Sequence, residues 1–151
     1  MARQLPPGSH GAADLEPGDR IDAGSQKVAA EMIDAFAALT GDRFEIHLSD
    51  EAAQRHGFAA RVAHGLLVLS LIDGLKNRAP AQLKARASLG WTWRFLAPVL
   101  AGDTIAVMIT VEAIDPARRE DQAVLTLAFE VTNQDGKTVQ SGTNRLLAYR
   151  H

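Results

Sequence analysis

Apolar and polar side chains alternate strictly in the second half of the chain. Ile105, Val107, Ile109 and Val111 take every second position of Asp103–Ile114, and Leu125, Leu127, Phe129 and Val131 do the same within Ala123–Thr132. A period of two puts such residues on one face of a strand. Arg86–Leu96, ending short of Pro98, and Lys137–Tyr149 complete a set of four predicted strands. Asn133-Gln134-Asp135-Gly136 links the last two, and its Asp-Gly pair suits a tight hairpin turn with positive φ. Asp115–Asp121 is polar, contains Pro116 and reads as a loop.

The period changes in the first half. After a short strand at Asp19–Ala23, Val28, Met32, Ile33, Phe36 and Leu39 recur at helical spacing within Lys27–Leu39. Ser25 is the expected cap of that helix, and Gly41 the residue that ends it in a left-handed conformation. Ser49 or Asp50 caps a short helix running to Arg55 and ended by Gly57. His64–Leu75 is apolar on nearly every side until Asp73. Its leucine content and scarce β-branching favour a helix, and a helix apolar all round must be covered all round.

This order gives an α+β class: one antiparallel sheet whose apolar face wraps a long central helix satisfies both partners. Residues 1–18, rich in Gly, Pro and Ala and without periodicity, read as a flexible tail before a single domain at 19–151. The open sheet edges and second face invite pairing between subunits, so a homodimer or higher homo-oligomer is expected.

Composition narrows the function classes. The 151 residues are 46% hydrophobic and 23% charged, ordinary for a globular domain. A net charge of −2 supplies no basic field for nucleic acid. Without cysteine there is no disulfide, thiolate nucleophile or Cys-ligated metal. The longest apolar run is too short to span a bilayer, and the N-terminal residues lack a secretory apolar core, so a cytoplasmic protein without membrane partners is expected.

Chemistry concentrates in Gly41-Asp42-Arg43-Phe44-Glu45-Ile46-His47. Five positions separate Asp42 from His47. A helix would splay the two by roughly 140°, and a strand would put them on opposite faces. Only a bent loop lets them share acid and base work on one water. A lone Asp and His at this spacing more often form a turn and an ordinary hydrogen bond. His64-Gly65 lies where the apolar helix begins, so free N–H groups and the positive dipole end are available there. Glycine allows close approach of a carbonyl oxygen. Ser70 is the one hydroxyl of that run and either bonds one turn back or faces a ligand. Arg94 stands among Trp91, Trp93 and Phe95. His47, His56 and His64 match no familiar metal-ligand spacing. No phosphate loop or dinucleotide fingerprint is present.

Together these segments resemble the MaoC-like dehydratase family, typified by the (R)-specific enoyl-CoA hydratase, across roughly residues 20–149. The family motif reads Gly-Asp-x-Asn-Pro-aliphatic-His with a small residue six positions later. Gly41, Asp42, Ile46, His47 and Ala53 match it, and Phe44-Glu45 replaces the Asn-Pro pair. A second motif, His-Gly opening an apolar helix with an internal serine, matches His64, Gly65 and Ser70. A third matches Phe95, Pro98, Val99, Gly102 and Asp103.

The resemblance implies the hotdog fold, with the sheet wrapped around the central helix. It implies reversible syn addition of water to a 2-enoyl thioester, giving a (3R)-hydroxyacyl-CoA. Asp42 and His47 would then hold the water, and the N–H of Gly65 would bind the thioester oxygen. Ser70, Phe44 and His64 would support the loop or the substrate, with Phe44 filling the acyl pocket. Arg43 or Arg94 would meet the CoA phosphates. Substrates would be acyl-CoA or acyl-carrier-protein thioesters. No metal or redox cofactor is implied, because hydration moves no electrons. An acyl-CoA thioesterase and a non-catalytic acyl-CoA binding module are the competing readings on the same fold.

Overall fold

The computed structural model describes residues 2–151, which form in chain order β1 (Gly8–His10), β2 (Arg20–Lys27), α1 (Ala30–Thr40), α2 (Asp50–Arg55), α3 (Gly65–Arg78), β3 (Ala81–Leu83), β4 (Ala85–Phe95), β5 (Thr104–Pro116), β6 (Gln122–Thr132) and β7 (Thr138–Tyr149). The five long strands make one antiparallel sheet in the order β2-β5-β6-β7-β4. The alternating residues face inward as expected: Ile105, Ile109, Val111, Leu125, Leu127 and Val131 are fully buried. Leu67, Val68, Ile72 and Leu75 of α3 join them in one core. Each such side chain contributes about 1.5–3 kcal/mol through burial. A sheet wrapped on one helix is the hotdog arrangement.

On β4 the inward row is Trp91, Trp93 and Phe95. It pairs with Asn144, Gly142 and Gln140 of β7. Gly142 makes room for Trp93, since a Cβ there would lie 2.6 Å from Cε3 of that indole. The row is therefore large on one strand and small or polar on its neighbour.

Several expectations are corrected. The segment expected as a flexible tail is packed. Strand β1 pairs in parallel with β3, Leu5, Ala12 and Leu15 are buried in the core, and Arg3 forks onto Asp19 at 2.9 and 2.6 Å. The Arg3 hydrogen bonds hold the buried Asp19 carboxyl below its ordinary range, against the cost of burial. These anchors are single residues without a period, so hydrophobic patterning does not register them. Ser25 lies in β2; α1 starts at Ala30 with no side-chain cap. Strand β5 runs into the expected loop as far as Pro116. Its β2 neighbour stops pairing at Thr110, so the missing proline N–H costs no sheet bond on that open side.

Helix α3 is not covered all round within one chain. Leu66 is 60% exposed and Ser70 is exposed one turn later. No helix among the described residues is long and apolar enough to cross a membrane.

Candidate active site

Gly41 ends α1 with φ 79°, and its N–H bonds the Ala37 carbonyl at 2.9 Å. The chain then bends as the Asp-to-His spacing requires. Asp42 donates its N–H to Thr40 Oγ1 at 3.2 Å, and its Oδ1 accepts the Phe44 N–H at 3.3 Å. This carboxylate-to-backbone turn leads into a short 3-10 turn at Glu45–His47. Ser49 caps α2 immediately afterwards, its Oγ accepting the Ala52 N–H.

His47 is 7% exposed. Its Nδ1 lies 2.7 Å from the carbonyl of Val62. A carbonyl only accepts, so Nδ1 carries the proton and Nε2 of the neutral ring keeps its lone pair. Burial pushes the His47 pKa below its ordinary value. His64 and Arg61 push the same way, while the Val62 carbonyl and Asp42 oppose them. The ring is thus held in the form that accepts a proton.

His64 is buried at the N-terminal cap of α3. Its Nε2–H donates to the backbone carbonyl of Asp42 at 2.9 Å. Its ring stacks on His47 with centroids 3.8 Å apart and planes 23° from parallel, and it packs against Phe36 at 4.9 Å. An Asp42 carboxylate oxygen, a His47 ring nitrogen and a His64 ring nitrogen all lie within 4.8 Å of one another. Two hydrogen bonds of about 2.8 Å meeting at one water span that separation. A shared metal ion is less suited, because the in-plane lone pairs of nearly parallel stacked rings do not converge on one point.

Gly65 opens α3 beside this pair. A Cβ on it would sit 2.7–2.8 Å from ring atoms of Phe95, so the Phe95 ring of the Phe-x-x-Pro-Val segment lies directly over the glycine of the His-Gly motif. That segment also bonds to the helix entry: Ala63 N–H meets the Val99 carbonyl at 2.8 Å, and Ala101 N–H meets the Arg61 carbonyl at 2.9 Å. Three motifs apart in sequence therefore fold into one contact. Between them lies a cavity of about 360 Å³, lined by Ile46, His47, Val62, Gly65, Phe95 and Gln140 among others. It is mostly apolar and wide enough for an acyl chain.

Two residues that sequence reasoning missed organise the site. Arg61 donates its Nε–H to the His47 carbonyl at 2.5 Å, pairs through its other arm with Asp34 of α1, and offers its backbone N–H to Asp50 at 2.9 Å. Its one sequence signal is its place three residues before His64. Gln140 is 2% exposed, an amide where alternation predicts an apolar residue.

The remaining expected residues do not converge. Ser70 donates back to the Leu66 carbonyl at 2.8 Å on the exposed face of α3. Phe44 is 53% exposed and does not line the cavity. It stands edge-on to His47 and His56, at 6.2 and 5.5 Å. Glu45 accepts hydrogen bonds from His56 Nε2 at 2.7 Å and Arg55 at 3.2 Å, tying the loop to the end of α2. Arg43 is exposed on the loop. Arg94 lies on the face of β4 opposite Trp93 and Phe95, away from the cavity.

Comparison with known proteins agrees with the fold. The MaoC-like domain model matches residues 13–134. The 3-hydroxybutyryl-CoA dehydratase of Methylorubrum extorquens is 35% identical over 75% of this chain and 71% of its own. The (R)-specific enoyl-CoA hydratase of Aeromonas caviae is 33% identical over 87% of this chain and 93% of its own. A solved (R)-hydratase structure from A. caviae superposes with a TM-score of 0.74 at 31% identity, covering 87% of this chain and 96% of that one. A double-hotdog protein of Mycobacterium tuberculosis gives a TM-score of 0.82 at 21% identity, covering 95% of this chain and 45% of that one, which shows the fold alone.

Proposed function

The chain belongs to the MaoC-like domain family, and on that premise we propose that it is a hydro-lyase adding water reversibly to a 2-enoyl-CoA to give a (3R)-hydroxyacyl-CoA. One observation carries the reading. A ring nitrogen of the buried His47 and a carboxylate oxygen of Asp42 lie within 4.8 Å of each other, within one water's reach, at the loop that meets the N-terminal end of α3 and a cavity of acyl size.

In this reading the water donates one hydrogen bond to His47 Nε2 and one to Asp42. As its oxygen bonds Cβ, its proton passes to His47. The electron pair of the double bond moves onto the thioester, whose oxygen turns enolate-like and is held by the Gly65 N–H and the helix dipole. His47 then returns the proton to Cα on the same face, so the addition is syn and the ring ends neutral. Every proton and electron pair is accounted for by water and substrate, so the reading calls for no metal or redox cofactor.

The substrate thioester is CoA-linked in this reading, and its pantetheine arm follows a face shared by two copies of the chain. The exposed apolar residues Leu66, Phe95 and Leu96 near the cavity support a homodimer. Arg43, exposed on the loop beside Asp42, would meet the CoA phosphates in this reading.

The test follows loss of the enoyl-thioester ultraviolet absorbance with a series of 2-enoyl-CoAs of increasing length. Hydration to the (3R) alcohol supports the reading. Free thiol released from saturated acyl-CoA, with no hydration, would replace it by a thioesterase.

A further inference from the structure

The inward row of β7 carries a buried amide at the cavity. Gln140 is 2% exposed, yet it lines the same space as His47 and Gly65. Its orientation is fixed chemically. Trp93 Nε1–H, a donor with no acceptor role, lies 2.8 Å from Gln140 Oε1. The oxygen must therefore face the indole, which turns the NH₂ group toward Gly65. One N–H reaches the Gly65 carbonyl across a long 3.4 Å. That carbonyl is the better satisfied of the two partners, because it also sits in the first turn of α3. The second N–H has no acceptor among the described residues. A buried donor left without an acceptor is costly enough that such groups are normally paired.

Resting on the hydratase reading above, we propose that Gln140 is a substrate-contacting residue whose free N–H donates to the thioester oxygen, as a second donor beside the Gly65 N–H. The elements support this placement. Gln140 pairs with Phe95 across the β4–β7 ladder, and Phe95 is the ring that lies on Gly65. The amide is thus held from its strand, from the indole and from the helix entry at once. A preorganised donor of this kind needs no reorientation when the enolate-like charge develops. It also gives Trp93 a function that its packing alone does not require: it locks the amide so that NH₂, and not the carbonyl oxygen, faces the substrate.

The experiment compares wild type with Gln140→Leu and, in parallel, Gln140→Met, an unbranched side chain of similar length that preserves packing if the leucine does not. Three quantities are read: kcat and KM for 2-enoyl-CoA hydration, and the infrared carbonyl stretch of bound enoyl-CoA. The expected result is a fall in kcat of about 10²-fold with KM changed little, the usual worth of one such donor. The bound carbonyl stretch should move toward its value in apolar solvent. A folded variant with wild-type carbonyl frequency overturns the proposal, because a purely structural amide would leave that frequency unchanged. Failure of wild type to hydrate any enoyl-CoA overturns the hydratase reading and this proposal together. Wild-type hydration with an unmoved carbonyl in the variants overturns this proposal alone.

Discussion

The His64 imidazole holds the Asp42–His47 loop from two sides: it stacks on the ring of His47 at 3.8 Å, and it donates a 2.9 Å hydrogen bond to the carbonyl of Asp42. One side chain thereby sets the spacing of both proposed water-handling residues. His64→Ala should lower kcat by about 10²-fold, the scale on which small misplacements near reacting atoms are felt. His64→Phe keeps a ring to stack but no donor, so it should recover only part of the loss. Steady-state kinetics of the two variants check this; equal activity in both would remove the hydrogen bond from the account.

Arg61 is the second brace. It spans the His47 carbonyl and the Asp34 carboxylate with a planar fork that lysine cannot reproduce. Arg61→Lys should lower kcat more than it raises KM. It should also reduce unfolding stability by about 1.5–3 kcal/mol, the range for hydrogen bonds to charged groups. Denaturant titration and kinetics measure the two effects separately.

The pH dependence follows from the burial of His47. Its pKa is lowered in the folded protein, so the unfolded chain binds a proton first as pH falls. The contribution of the neutral ring to stability is complete above the unfolded value of about 6.5 and is lost as pH falls through the window below it. Hydration should keep its full rate to a pH below that ordinary value, because the base stays neutral there. A pH profile of kcat/KM should show an acid limb displaced below pH 6.5. A stability profile should show a drop below the same pH that is absent from His47→Gln.

Phe44-Glu45 stands where the family has Asn-Pro, and the structure gives Glu45 a bracing role. Its carboxylate joins His56 and Arg55 at the end of α2, and the His56 hydrogen bond holds its pKa below the ordinary value. All three side chains are substantially exposed, so the brace is weak and screened by salt. Glu45→Gln should change kcat by only a few-fold, and raising ionic strength should reproduce that change in the wild type. Activity measured across a salt series in both proteins checks the point.

Much of this was legible in the chain. The inward residues of β5 and β6 follow from period two, because one face of each strand is buried and the other is not. Gly41, Ser49 and Gly57 mark their turns through backbone chemistry that reads from residue type alone. Asp42 and His47 were legible as a pair through the motif that carries the resemblance, because their spacing alone fits a turn and an ordinary hydrogen bond as well. Arg61 and Gln140 lie beyond such reasoning in their roles. Each acts through a partner distant in sequence, such as Asp34 for Arg61 or Trp93 for Gln140, and no local pattern encodes that pairing. The packed N-terminus escaped for a related reason: β1 finds its partner in β3, more than seventy residues away, with too few residues to show a period.

The central claim, that Asp42 and His47 handle the water, is tested most directly by the turnover of 2-enoyl-CoA in Asp42→Asn and His47→Gln. Both replacements keep size and polarity, so circular dichroism and thermal unfolding should show a folded protein close to wild type. The account predicts a fall in kcat of about 10²–10⁴-fold in each, the usual worth of a positioned acid–base group. Full activity in either folded variant would contradict it.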